Sequence, residues 1–249
     1  MKSPKLTRLE TAWFAEVEHF NASPAVRRLL AGEFTAAHYR ALLREIYFYA
    51  RESPQFFAMI PARLRGPLRE FTKPMLQHAC AEAGHDHLAL DDLRTLGADV
   101  ETLPYERPLP ETAALIGFSY YLIQYLNPVS YLGFVFHLEY LPTHFGEQYA
   151  RGLRAAQIPP AALTFIAEHV EADIGHNRLM ADYVENLLVT ERDVEDVIYA
   201  MRVTSTLYAG VFEAAFRAAD EGRAYDYGLN RAELPADDGF QRLHSIEAA

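Results

Sequence analysis

The chain has 249 residues, half of them hydrophobic, and carries 23 Lys plus Arg against 34 Asp plus Glu. A formal net charge of −11 without a basic stripe argues against binding to nucleic acids or anionic membranes, because both partners are polyanions. The 15 Phe and 15 Tyr residues indicate a packed globular core rather than a disordered chain. The single cysteine, Cys80, excludes an internal disulfide and is typical of a reducing compartment.

Helical periodicity continues from end to end, so the sequence predicts an all-α protein. Thr35 and Thr190 are the expected N-caps of two long helices. In chain order the expected helices cover residues 6–20, 24–31, a segment after Thr35, then 67–96, 111–125, 130–153, 160–188 and 190–219. The composition does not shift along the chain, and we therefore expect one domain over residues 1–249. Its core would be a bundle of seven or eight helices within about 35–220, followed by a polar tail at 221–249.

The start of the chain leads straight into a charged amphipathic segment, and no run of eighteen apolar residues occurs. These features predict a cytoplasmic protein with no signal peptide and no membrane span. A homodimer is expected only because symmetric dimers are common among oligomers.

The most specific motif is His169-Val-Glu-Ala-Asp173-Ile-Gly-His176. On an α-helix, positions i, i+4 and i+7 lie on one face. Two imidazoles and one carboxylate would therefore point in the same direction along two turns. Alone, this arrangement fits a metal site and an ordinary polar helix face equally well, and its combination with the two patterns below favours the metal site.

Two further patterns add ligands of the same kind. Glu82 and His85 stand three residues apart, in the Glu-x-x-His arrangement that helical bundles use for di-iron and di-manganese sites. Glu139 lies within an aromatic run, where an isolated buried charge would be costly and a metal ion would remove most of that cost. Three histidines and three carboxylates suit iron or manganese better than zinc or calcium. The sequence predicts a metal site formed by Glu82, His85, Glu139, His169, Asp173 and His176.

Several nearby residues have simpler interpretations. Glu45 and Glu52 could supply an extra ligand or a base, but surface positions are the favoured interpretation. His78, His87, His137 and His144 lie near the predicted ligands in sequence and are not expected to be ligands. Cys80 is interpreted as a small buried apolar residue.

Three stretches carry a family resemblance. They are the residues that precede Glu82 and follow His85, the aromatic helix around Glu139, and the motif from His169 to His176. The chain resembles the haem-oxygenase-like di-iron oxidases and oxygenases, also described as iron-containing redox enzymes, over roughly residues 35–190. The resemblance implies a haem-oxygenase-like bundle in which all six residues are catalytic ligands of two Fe(II)/Fe(III) ions, with O2 as co-substrate. In one branch of the family the first Glu and His stand further apart than they do here.

The function that the resemblance implies is oxidation of a small molecule, by N-oxygenation, oxidative decarboxylation or C–C cleavage of an amine, amino acid or fatty acid. An external electron donor is a possible partner. Two alternatives remain open: a metal-binding bundle without turnover, and a metal-free, TenA-like (thiaminase-type) protein of the same fold. Thiaminase-type relatives use a cysteine nucleophile inside the bundle, and Cys80 is the only candidate.

Overall fold

A computed structural model describes residues 3–222, apart from the side chains of residues 171–174. This part of the chain contains α-helices, short 3-10 and π segments, and no β-strand. The helices are α1 (Pro4–Ala22), α2 (Pro24–Ala31), α3 (Ala36–Ala50), α4 (Ser53–Met59), α5 (Thr72–Glu82), α6 (His85–Thr95), α7 (Pro110–Tyr121), α8 (Leu132–Ala155), α9 (Thr164–Leu187) and α10 (Glu191–Asp220). The all-α prediction is therefore confirmed, and the predicted tail beyond residue 222 lies outside the described residues.

The helix starts follow the predicted capping residues. Thr190 precedes α10 and forms a reciprocal capping box with Asp193, whose carboxylate accepts from the Thr190 backbone N–H at 2.7 Å. Thr35 caps α3 as predicted, although its partner three residues on is His38. These local bonds satisfy backbone donors that the first turn of a helix leaves open.

The predicted continuous helix over residues 67–96 is wrong. A 3-10 turn (Gly66–Phe71) leads into α5, and the chain then breaks at Ala83 and Gly84 before α6 begins at His85. Ala83 has an extended backbone (ψ 122°), and Gly84 adopts φ +96°, which glycine reaches without a Cβ penalty. The break places Glu82 at the end of one helix and His85 at the start of the next.

Helix α8 lies at the centre of the bundle and packs closely on its neighbours. A Cβ added to Gly133 would come within 2.3 Å of the Val197 carbonyl oxygen on α10, and one added to Gly146 within 2.5 Å of Val170 on α9. Helix axes can approach this closely only where a side chain is absent. The two contacts fix α9 and α10 against opposite parts of α8.

Helix α9 is also held at its start by α6. The fully buried carboxylate of Asp92 accepts hydrogen bonds from the backbone N–H groups of Thr164 (2.9 Å) and Phe165 (3.0 Å). A negative charge at a helix N-terminus satisfies open donors and complements the helix dipole. Asp92 thereby fixes the end of α9 that leads to His169. Between residues 3 and 222, no helix has the length and apolarity needed to cross a bilayer.

Candidate metal centre

Two carboxylates and two imidazoles from four helices converge inside the bundle. Glu82 ends α5, His85 begins α6, Glu139 lies on α8 and His176 on α9. The Glu82 Oε1 atom is 3.6 Å from His85 Nδ1 and 3.6 Å from His176 Nδ1. The Glu139 Oε1 atom is 3.7 Å from His176 Nδ1. Glu82 therefore lies between the two imidazoles, and Glu139 closes one side.

The carboxyl group of Glu82 is ionised by its surroundings. Burial alone would raise its pKa, but the hydrogen bond and charge of His85, together with His78 and His176, outweigh burial and lower the pKa to about 2. Ser53 at the start of α4 donates a hydrogen bond to the other carboxylate oxygen, Oε2, at 3.0 Å. A carboxylate that is ionised and oriented by a neighbouring donor is suited to binding a cation.

His169 lies beside His85. The two ring centroids are 4.8 Å apart. The Nδ1–H of His169 donates to the Phe165 carbonyl oxygen at 2.7 Å, which leaves Nε2 as the nitrogen with a lone pair. Histidines that bind metals commonly fix their ligating nitrogen by such a bond from the other ring nitrogen. His169 is therefore oriented as a ligand would be.

The structure adds one histidine that sequence reasoning had set aside. His78 on α5 is fully buried, and its Nε2 atom is 3.1 Å from Glu139 Oε1 and 4.0 Å from Glu82 Oε1. His78, Glu82, Glu139 and His176 each offer one ligand atom within 4.8 Å of the others. The signal that could have found His78 was its i, i+4 spacing to Glu82, which puts both on one face of α5.

Other sequence expectations are corrected or remain open. The side chain of Asp173 lies outside the described residues, so its role stays a prediction. Glu45 is neither a surface residue nor part of the cluster, because its carboxylate is fully buried against Arg44 and accepts from the Leu109 backbone N–H at 2.9 Å. Glu52 accepts from the Tyr120 hydroxyl at 2.7 Å and is also outside the cluster.

Cys80 is exposed, so its interpretation as a buried apolar residue is wrong. The buried stripe of α5 follows Met75, His78 and Ala79, and position 80 falls off that face. Cys80 also does not line the cavity beside the metal cluster. A nucleophilic role for Cys80 inside the bundle has no support in this geometry.

A cavity of about 80 Å³ adjoins Glu82, His85, Glu139 and His169. Its remaining wall is mostly apolar and aromatic, with Tyr49, Ala50, Ser53, Phe57, Tyr131, Phe134, Val135, Leu138, Pro142, Phe165 and Tyr208. A second cavity of about 80 Å³ shares Leu138, Pro142, Phe165, His169 and Tyr208 with the first. The cluster thus faces a small space from which side chains exclude most bulk water.

The donor set fits transition-metal ions. With bonds of about 2.1 Å, adjacent ligand atoms on one ion stand about 3.0 Å apart and opposite ones about 4.2 Å. The separations of 3.1 to 4.0 Å within the cluster are close to these values. Mixed carboxylate and imidazole ligands favour iron, manganese or zinc over magnesium or calcium. Small side-chain movements would suffice to bring the atoms into a coordination shell.

The fold of this chain is similar to that of several solved structures. A solved domain of unknown function with a heme oxygenase-like fold from Shewanella denitrificans OS217 has a TM-score of 0.77 and 23% identity, covering 90% of this chain and 96% of that one. A TenA homologue from P. horikoshii OT3 has a TM-score of 0.71 and 12% identity, with coverages of 86% and 98%. A TenA homologue from Pseudomonas syringae pv. tomato DC3000 has a TM-score of 0.73 and 10% identity, with coverages of 87% and 94%.

At these identities the likeness shows the fold alone, which is the predicted haem-oxygenase-like bundle. No curated protein gives a significant match. The sequence profile of the iron-containing redox enzymes matches residues 40–209, which include every residue of the cluster. The chain therefore belongs to the iron-containing redox enzyme family.

Proposed function

We propose that the chain is a non-haem di-iron oxidase or oxygenase that uses O2 to oxidise a small amine, amino acid or fatty acid. The observation that supports this most is the convergence of Glu82 and Glu139 with His85 and His176, at one wall of an apolar cavity. Buried carboxylates and imidazoles in one cluster are costly unless a cation binds them. The adjoining cavity, at about 80 Å³, is large enough for O2, and an amine, amino acid or fatty acid would have to widen it in order to bind beside the cluster.

The six residues that the sequence singled out would hold the two ions: Glu82, His85, Glu139, His169, Asp173 and His176. Iron bound there would supply O2 activation and electron transfer. Glu82 would bind through Oε1, the carboxylate oxygen that lies 3.6 Å from both His85 Nδ1 and His176 Nδ1. His169 would ligate through Nε2, since its Nδ1–H is bound to the Phe165 carbonyl. Asp173 enters the proposal through the spacing of its motif alone.

The protein around the ions would orient ligands and keep water out. Ser53 donates to Glu82 and fixes which carboxylate oxygen faces the histidines. Tyr49 and Tyr208 pair through their hydroxyls at 2.9 Å on the far wall of the cavity. An apolar cavity excludes side reactions with water and strengthens electrostatic interactions within it. Repeated turnover also needs electrons, from the substrate or from an external donor.

The test is an anaerobic titration with ferrous iron, followed by stopped-flow absorbance on mixing with O2. We expect two ferrous ions per chain and a transient visible band. The variant His176→Ala should lose at least one of the two ions together with the visible band, while His87→Gln, which replaces an exposed histidine on α6, should retain both ions and the band. Wild-type protein that binds no iron, or a His176→Ala variant identical to wild type, would overturn the assignment.

The TenA-like alternative rests on the structural likeness to two TenA homologues. It predicts a protein that binds no iron. A metal-binding bundle without turnover is the other alternative, and it predicts two ions per chain but no reaction of the reduced protein with O2. The same titration and mixing experiment separates both alternatives from the oxidase.

A further inference from the structure

His78 occupies a position that the six expected ligands do not explain. Its side chain is fully buried on α5, four residues before Glu82. Its Nε2 atom lies 3.1 Å from Glu139 Oε1, and its ring centroid lies 4.4 Å from that of His176. The imidazole is therefore inside the carboxylate and histidine cluster rather than behind it.

Packing fixes the direction in which His78 points. The Phe57 ring stacks on it at 3.9 Å, with an angle of 22° between the planes, and Tyr183 lies roughly parallel to it at 6.2 Å. Aromatic contacts of this kind leave a buried ring little freedom to rotate away. Nε2 is consequently held toward the two carboxylates, as a preorganised ligand would be.

The histidines divide into two groups around the carboxylates. His85 and His169 pair on one side, with His85 facing Glu82. His78 and His176 pair on the other side, where both face Glu139 and where His176 Nδ1 also lies 3.6 Å from Glu82 Oε1. Each group has two imidazoles and at least one carboxylate, which is a sufficient set of donors for one transition-metal ion.

We propose that His78 is a seventh ligand, bound through Nε2 to the ion that Glu139 and His176 hold. The proposal rests on the proposed function, because it assumes that two ions bind. The separation of 3.1 Å between His78 Nε2 and Glu139 Oε1 is close to the roughly 3.0 Å expected for adjacent ligand atoms on one ion with bonds of about 2.1 Å. The second ion would then have two imidazoles, as the first has.

The competing interpretation is that His78 only donates a hydrogen bond to Glu139 and orients it. The two roles predict different results for glutamine, which keeps an N–H donor but replaces the imidazole. Loss of an orienting partner typically weakens metal binding by about 10–100-fold. Loss of a ligand should exceed that range.

The experiment is an anaerobic Co²⁺ titration of wild type, His78→Gln and the exposed-site control His87→Gln, with circular dichroism to check folding. We expect two ions per chain in wild type and in the control. In His78→Gln the first ion should bind as in wild type, and the second more than about 100-fold more weakly, beyond the effect of an orienting partner. Second-ion affinity within that 100-fold range would overturn the proposal while leaving the proposed function intact.

A second measurement uses wild-type protein alone, so it does not depend on how the variant folds. Anomalous scattering from crystals of the Co²⁺-loaded protein locates each ion relative to His78. We expect Nε2 at about 2.1 Å from the second ion, as for other imidazole ligands. A distance above about 3 Å, outside any coordination bond, would overturn the proposal. Wild-type protein that binds no cobalt would overturn the proposed function and this inference together.

Discussion

The two faces of α8 both bury ionisable side chains, but they do so in opposite ways. Glu139 faces the cavity and meets the imidazoles of His78 and His176. His137, two residues earlier, is fully buried on the other face, where its ring makes T-shaped contacts with Phe20 and Tyr208. Neither ring nitrogen of His137 has a hydrogen-bond partner among the described residues.

The comparison shows that burial alone does not identify a functional residue. Burial lowers the pKa of His137 to about 3, so this imidazole stays neutral and packs as an aromatic ring. Burial of an ionised carboxylate such as Glu139 costs much more free energy than burial of a neutral imidazole. The histidines around Glu139 are the partners that a cation site would have. The residues of the candidate site are distinguished from His137 by convergent partners of complementary chemistry.

The largest expected difference is the one in iron binding between the leucine variants of Glu139 and His137. Glu139→Leu should lose one of the two ferrous ions per chain, because the carboxylate that faces both His78 and His176 is removed. His137→Leu should bind iron as wild type does. Iron content after anaerobic loading measures both. Equal iron content in the two variants would remove the functional distinction between the two faces.

The close contact of α8 with α10 should be sensitive to one methyl group. In Gly133→Ala the new Cβ would meet backbone atoms of Val197 and Met201, which cannot move aside as a side-chain end can. We expect a loss of about 1–3 kcal/mol or more in the free energy of unfolding. The control is Gly117→Ala on α7, where no atom lies within 4 Å and alanine should stabilise the helix by up to about 1 kcal/mol. Urea unfolding of both variants tests the contrast.

Loss of the hydrogen bond from Ser53 to Glu82 should weaken metal binding less than loss of a ligand. Ser53→Ala removes the hydrogen bond to Glu82 Oε2 while leaving all proposed ligands in place. We expect metal affinity to fall by about 10–100-fold, the usual effect of an outer partner. Thr206→Ala, an exposed hydroxyl deletion on α10, is the control and should change nothing. Unchanged affinity in Ser53→Ala would show that packing alone orients the carboxylate.

The smallest effect is a pH dependence that comes from His137. Its folded-state pKa of about 3 lies below the value of about 6.5 for an unfolded chain, so the unfolded state binds the extra proton. Stability from the neutral ring is complete above pH 6.5 and is lost as the pH falls toward 3, by at most about 1.4 kcal/mol per pH unit. In His137→Phe, the slope of the unfolding free energy against pH should be smaller by up to about 1.4 kcal/mol per pH unit between pH 6 and 5. An unchanged slope would show that the ring is not buried neutral.

The sequence was informative where structure depends on local bonds. Thr190 and its capping partner three residues on mark the start of α10 in the sequence, and the structure retains them. Residues two apart on an α-helix also point in different directions, and the contacts of His137 with Phe20 and Tyr208 agree with this for His137 and Glu139. Such features depend on neighbours within about one turn of helix, which a sequence displays directly.

The break between α5 and α6 was not predicted, although Gly84 was visible in the sequence. A glycine within a helical pattern is compatible with either a continuous helix or a left-handed turn, and the surrounding packing selects one. The position of Glu45 was also misjudged. A carboxylate next to an arginine suggests a solvated pair, but residues 106–109 fold over both side chains and bury them.

By itself the sequence determined the all-helical class and most helix starts, and it singled out the residues of the candidate metal site, because periodicity, caps and ligand spacing are local properties. Only the tertiary structure decided that His78 belongs to the cluster and that Glu45 and Cys80 do not. Those outcomes depend on which faces of separate helices meet, and close contacts such as Gly133 against Val197 and Asp92 on the start of α9 set that geometry. Contacts between residues far apart in the chain leave no periodic signal in one sequence.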